Sequence, residues 1–448
     1  MASSQFIILL LGLGIFSLII GVYAAKHIRT TGDYFLAGRQ VGVWPLMLTL
    51  CATQIGGGLI LGTADEAYQI GWYGILYAMG IFLGFALLAS GFASKLRGFN
   101  IVTTAQLFET HYQSRTLRKL ASLIIVISMC GILVGQVVAA KKFMFALGMT
   151  QDWLFIAFWA FVIVYTMIGG LKAVILTDVY QVLFIIALFI GLFIFAIIQY
   201  PFSDLQWVPA EPIEDLPIHF VAPLLLPFLF CIVEQDLAQR CFAARTRKVA
   251  TLAAALAAVI VLLFGIIPTY FGVLAQHLGL EIANNTSVLV SVIAEISHGV
   301  VLSLVAVALL AAIISTSDSL LCAISSNLAQ DFGLDQLSDR LAVHLSRGIT
   351  LLCGVIALVL AYQFDNIIRI LIHSYELPVS ALFVAIFFCC IAKRTPKLAA
   401  IVSITFGIVA FGLLKFISTP FPREILQLIA AFTGYGLGWW LDARQRHG

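Results

Sequence analysis

Apolar residues run along this chain in long blocks, broken by short polar segments. A bilayer core of about 30 Å takes roughly 20 apolar residues per helix, so the blocks predict about thirteen transmembrane helices. They fall near 6–25, 43–69, 72–95, 119–147, 152–170, 173–200, 218–240, 249–277, 299–330, 342–363, 366–392, 396–417 and 424–441. Stretch 287–297 reads as a short helix lying outside the membrane. The first block, Phe6 to Ala25, is long enough to span and lacks a basic start, so it reads as a retained helix rather than a cleaved leader. The expected fold class is an all-α polytopic membrane protein, with residues 1–448 forming one transmembrane domain.

Composition agrees with that pattern. Hydrophobic residues make up 62% of the chain and charged residues 10%, with a mean hydropathy of +1.06. A soluble domain carries about 25% charged residues, so this chain cannot cover a water-facing surface. The net charge of +3 comes without a clustered basic run, which excludes a nucleic-acid partner. The eight cysteines sit in or beside apolar spans and read as small packing residues.

Basic residues then orient the spans. They occupy alternate loops: Lys26, Arg29 and Arg39; Lys95, Arg97, Arg115, Arg118 and Lys119; Lys172; Arg240, Arg245, Arg247 and Lys248; Arg340 and Arg347; Lys393, Arg394 and Lys397; Arg444 and Arg446. The intervening loop 201–217 instead carries Asp204, Glu211, Glu214 and Asp215. This predicts an N-terminus outside the cell membrane and a C-terminus in the cytoplasm. Lys141 and Lys142 break the pattern and are candidates for an outer vestibule.

Two spans carry interruptions. One reads Ala52-Thr53-Gln54-Ile55-Gly56-Gly57-Gly58, and three glycines in a row weaken a helix. The other carries Pro223 and Pro227, followed by Glu234-Gln235-Asp236. Irregular backbone at membrane depth is tolerated only against protein or a polar cavity. Leaving out the first helix, these are the first and sixth spans of the remainder, as expected for two inverted five-helix repeats with a binding site between them. The repeats would be 43–200 and 218–392, with 6–25 an extra N-terminal helix and 396–441 two C-terminal ones. Close helix packing is the other use of such glycines.

In Ala311 to Ser319, helical spacing places Ala312, Ser315, Thr316 and Ser319 on one stripe, with Asp318 beside them. Hydroxyls, carbonyls and a carboxylate suit a hard monovalent cation, and the stripe lacks the soft ligands of a transition metal. A carboxylate within a span costs at least about 2.5 kcal/mol and marks a functional site. A second carboxylate, Asp178, either pairs locally with Lys172 or faces Asp318 and Ser319 in an inner cation pathway.

Together these segments resemble the sodium/solute symporter family. The resemblance rests on Gly32-Asp33-Tyr34-Phe35-Leu36-Ala37-Gly38-Arg39, on Gly169 through Gln181, on Gln235-x-x-x-Gln239-Arg240 and on Ala311 through Ser319. It implies the LeuT-type five-plus-five inverted repeat and a principal sodium site at Ala52, Ile55, Ala312, Ser315 and Thr316. It also implies a second sodium or proton site at Asp178, Ser315, Asp318 and Ser319. The nearest motifs are those of the choline transporters. A quaternary ammonium wants an aromatic cage, however, and Gln54 and Glu234 stand where that branch places Trp. Solute-facing candidates are Gln54, Gly56, Gly57, Gly58, Gln136, Glu234 and Gln235, which suit a polar or zwitterionic solute.

The expectation is therefore sodium-coupled symport of a small organic solute across the cell membrane, with sodium as the co-transported ion. A proton-coupled version would use Asp318 or Asp178. No repeated filter sequence supports a channel. The scattered histidines form no catalytic or metal constellation, so an enzyme is not expected. The chain also ends soon after its last predicted helix, without the signalling domain of a transporter-like sensor.

Overall fold

A computed structural model describes residues 4–26, 30–149, 151–205, 216–282, 286–297, 299–333, 339–364, 366–417 and 419–447. Of the loop charges used for orientation, Arg29, Glu211, Glu214 and Asp215 lie outside these residues. Among the described residues the chain is helical throughout, apart from an isolated bridge between Val41 and Ala244.

The principal helices are α1 (Ser4–Ala25), α2 (Val43–Gln54), α3 (Thr63–Ile70), α4 (Leu76–Leu87), α5 (Arg115–Ala146), α6 (Asp152–Gln199) and α7 (Leu216–Val233). They continue as α8 (Gln235–Ala243), α9 (Arg247–His277), α10 (Val288–Ile296), α11 (Val300–Asp331), α12 (Asp339–Leu360), α13 (Ile367–Ile391), α14 (Lys397–Leu413) and α15 (Arg423–His447). Every predicted span is occupied by helix, and α10 is the expected short extra helix. Among the described residues, 7 helices are long and apolar enough to cross a membrane alone, or up to 8 with the bent α7–α8 pair. The protein is an integral membrane protein, and its outer surface shows it: Ile8, Leu11, Ile15 and Ile19 of α1 and Ile198 of α6 are all more than half exposed.

Three junctions locate the interior. The Asp152–Gln199 stretch, α6, is two helical segments that meet at Gly170, whose φ of 54° and ψ of −168° are non-helical, in line with the two predicted spans. A Cβ there would sit 2.7 Å from the Tyr34 ring, so glycine is also needed for the contact. The first break falls where α2 ends, with Ile55 at φ −81° and ψ 65°; the chain becomes helical again through a π-turn over Gly58–Gly62. The second break is at Glu234, with φ −62° and ψ 119°, and it bends α7 against α8 by 44°.

Pro223 and Pro227 were expected to contribute to that second interruption, yet α7 runs straight through both. Pro227 has no N–H to offer the carbonyl of Pro223. Gly80 of α4 packs against the carbonyls of Pro223 and Leu224 instead, where a Cβ would lie 3.1 and 2.5 Å from them. The two prolines do not end the helix.

At the centre, α11 is buried along nearly its whole length. It packs on α1, α5, α6 and α12, and α2 crosses it at the first break.

Candidate functional site

The site lies where the two breaks meet α11. Ser315 Oγ donates to the Ala52 carbonyl at 3.2 Å and to the Ala312 carbonyl at 3.0 Å. Thr316 Oγ1 reaches the carbonyls of Ala52 at 3.4 Å and Thr53 at 3.2 Å. These are long for O–H···O bonds, which are commonly about 2.7 Å. The structure thus brings Ala52, Ala312, Ser315 and Thr316 together, and it places Ile55 at the turn where α2 leaves helical geometry. The glycines make this approach possible: a Cβ on Gly56 would lie 2.2 Å from Thr316 Oγ1, on Gly57 2.5 Å from Ala139 Cβ, and on Gly58 2.4 Å from Leu371 Cδ1. Both readings of the triple glycine hold, because the segment breaks the helix and admits its neighbours.

One layer away, Asp178, Asp318 and Ser319 are all fully buried, with Arg240 among them. Arg240 Nη2 donates to Asp178 Oδ2 at 3.2 Å and to Ser319 Oγ at 2.5 Å, and its Nε donates to Thr49 Oγ1 at 2.9 Å. Thr49 in turn donates to Asp178. Asp178 therefore faces the α11 stripe and pairs with Arg240; the local pairing with Lys172 is not the one formed. This also corrects the loop-charge reading, in which Arg240 was a cytoplasmic loop residue. Its side chain is an interior cation, while Arg245 and Arg247 remain on the loop side. Arg118, counted likewise, turns inward to Asp331 at 2.7 Å. Neither carboxyl oxygen of Asp318 receives a hydrogen bond.

On the other side of the α2 break lies a small cavity. It is lined by Gln54, Gly56, Gly58, Gln136, Glu234 and Asp236, with the rings of Tyr77 and Tyr375 as a wall. Gln54 Nε2 donates to Glu234 Oε2 at 3.2 Å, and Gln136 Oε1 accepts the Gly57 N–H at 2.9 Å, capping backbone freed by the break. The Tyr77 and Tyr375 hydroxyls are 2.9 Å apart, closing the wall. Gln235 does not line the cavity. Its Oε1 accepts from Thr104 N at 2.7 Å and its Nε2 donates to the Val102 carbonyl at 3.1 Å, so it ties α8 to the 101–105 turn. A side chain beside a helix break points by helical phase, and α8 turns Gln235 away while keeping Asp236 toward the cavity.

A wider pocket of about 290 Å³ opens beyond Gly62 and is lined by Asp65, Glu66, Lys142 and Asn366. Lys142 Nζ meets Asp65 Oδ2 at 2.9 Å, and Asp65 Oδ1 accepts the Val288 N–H at 3.1 Å. Lys141 lies over the Tyr362 ring, 4.4 Å from its centroid. The lysine pair thus has partners: one an ion pair joining α3 to α5, the other a cation–π contact.

The sequence reading missed Arg240 as an interior group, Thr49, Tyr77, Tyr375 and Asp65. The spacing of Asp236 and Arg240, four apart on one helix, was the available signal for the first.

Residues 34–407 match the Sodium:solute symporter family. The chain belongs to that family. It is 32% identical over 171 residues to the sodium/pantothenate symporter of Escherichia coli (strain K12), covering 36% of this chain and 35% of that protein. It is 28% identical over 187 residues to the high-affinity choline transporter 1 of Drosophila melanogaster, covering 39% of this chain and 29% of that protein. These matches span about a third of the length of the curated relatives. A solved sodium-coupled sialic acid symporter in a substrate-bound outward-open state superposes with a TM-score of 0.77 at 19% identity, over 97% of this chain and 96% of that one. This chain shares the LeuT-type fold with that structure.

Proposed function

We propose that this symporter couples inward movement of sodium to uptake of a small polar or zwitterionic organic solute by alternating access. The observation that carries this reading is the meeting of the Ser315 and Thr316 hydroxyls with the Ala52 carbonyl across the α2 break. Sodium held by Ala52, Ile55, Ala312, Ser315 and Thr316 joins the broken helix to α11. The solute sits against Gln54, Gly56, Gly58, Gln136 and Glu234. The repeats 43–200 and 218–392, about thirteen crossings, an outside N-terminus and a cytoplasmic C-terminus complete the proposal. Ligands shift a two-state equilibrium only through differential affinity, so this bridge must break when the protein faces inward. Each charge entering down 100 mV supplies about 2.3 kcal/mol.

Asp318 supports a second cation step. Its buried carboxyl has no hydrogen-bond donor, and Asp178, its neighbour, already holds Arg240. A second sodium shared with Ser315 and Ser319, or a proton on Asp318, satisfies that group.

The deciding experiment measures solute uptake by the full chain in proteoliposomes with and without an imposed sodium gradient. Uptake that follows the sodium gradient supports the reading. Uptake that ignores sodium and follows a pH gradient replaces it with proton coupling at Asp318 or Asp178.

A further inference from the structure

We infer that the cavity at the two breaks selects solutes carrying a positively charged amine, with Glu234 and Asp236 as its counter-charges. This rests on the cavity being the solute site.

One carboxyl comes from the backbone break and the other from the helical turn that follows it. Glu234 is the break residue, and Asp236 lies in the first turn of α8. Both are buried, and both line the cavity. Glu234 receives the neutral amide of Gln54. Asp236 Oδ1 takes the Leu237 N–H at 2.9 Å, whereas its Oδ2 receives no hydrogen bond. Among the described residues, neither carboxylate has a Lys or Arg side chain at ion-pair distance. Arg240 is the neighbouring cation, but its donors go to Asp178, Ser319, Thr49 and the backbone carbonyl of Asp236.

Charge accounting then sets the ligand. Glu234, Asp236, Asp178 and Asp318 are buried around a single guanidinium. Buried ions that lack partners are strongly unfavourable. Sodium at the α2–α11 bridge offsets one negative charge at some distance from Glu234. A solute ammonium placed between Glu234 and Asp236 offsets another, and its N–H groups reach the open Oδ2. Tyr375 belongs to the facing wall and is held there by stacking on Phe230, with centroids 4.5 Å apart. An anionic solute without an amine would add to the negative charge, and a neutral one would leave the carboxyl groups to be neutralised by protons. The Tyr77 and Tyr375 hydroxyls meet at 2.9 Å and close one wall of the cavity, so the head group it grips is compact.

The test uses the purified full chain and matched probes: ethanolamine, glycine and putrescine against ethylene glycol, glycolate and butanediol. Binding is read as a rise in Tm and uptake in proteoliposomes, and radioactive sodium binding is measured on the same samples. At least one amine should bind and be carried while its amine-free counterpart is not. Glu234→Gln should weaken amine binding at least about tenfold, as loss of one partner of a buried charge pair does, and more than it weakens sodium binding. Glu234→Asp should restore part of the loss. Binding confined to the amine-free probes, no amine binding at all, or equal amine affinity in Glu234→Gln overturns the inference. Amine selectivity without sodium binding instead overturns sodium coupling and leaves charge selection standing.

Discussion

Arg240 and Asp178 form a fully buried ion pair, 3.2 Å from Nη2 to Oδ2, that links α8 to the kinked α6 beneath the α11 hydroxyl stripe. Removing one member of such a pair strands the other charge, at a cost of about 3–5 kcal/mol, whereas replacing both by apolar groups is often neutral. Arg240→Met alone should therefore lower the Tm of the purified protein more than Arg240→Met combined with Asp178→Leu. A double variant less stable than the single would show that Asp178 does not depend on Arg240.

The Ser315 and Thr316 hydroxyls supply the side-chain oxygens of the proposed sodium bridge. Ser315→Ala with Thr316→Ala should raise the sodium concentration needed for half-maximal uptake by at least about tenfold, at roughly 1 kcal/mol per lost hydroxyl interaction. Unchanged sodium-driven uptake in that double variant would remove the site from consideration.

Gly57 admits Ala139 of α5, and a Cβ added at Gly57 would lie 2.5 Å from the Ala139 methyl. Gly57→Ala should cost about 1–3 kcal/mol by overpacking. The compensating change Ala139→Gly in the same chain should recover part of the loss in a denaturation series. Absence of recovery would locate the cost in the backbone break instead of the contact.

The Lys142–Asp65 pair, with Val288 N–H on the same carboxylate, holds α3, α5 and α10 together at the wide pocket. Lys142→Met should loosen that end and speed thiol labelling of a cysteine placed by Gln69→Cys on the pocket wall. The native cysteines are buried, apart from the half-buried Cys130, and leave a low background. Equal labelling rates with and without Lys142→Met would show that the ion pair does not restrain the pocket.

Much of this arrangement was legible along the chain. Span positions follow from apolar block length, and the α11 stripe follows from helical spacing, so both appear without tertiary information. The break at Ile55 was visible because consecutive glycines disfavour helix. The second break was misattributed in part to Pro223 and Pro227; the helix continues through both prolines and breaks only at Glu234. Gln235 looked as suitable for a solute as Gln54; helical phase beyond a bend separates them, and that phase depends on the 44° turn at Glu234.

The sequence by itself determined that this is a helical membrane protein with irregular backbone inside an apolar block and hydroxyls aligned on one helix. Those properties depend on composition, block length and periodicity, which are local. Only the tertiary structure decided that Arg240 is an interior cation and that Asp178 is its partner. The same holds for the Tyr77–Tyr375 wall that stands where an aromatic cage was expected to be missing. These depend on which side chains meet across helices far apart in sequence, and on the shortage of buried cations that leaves Asp236 and Asp318 with open oxygens.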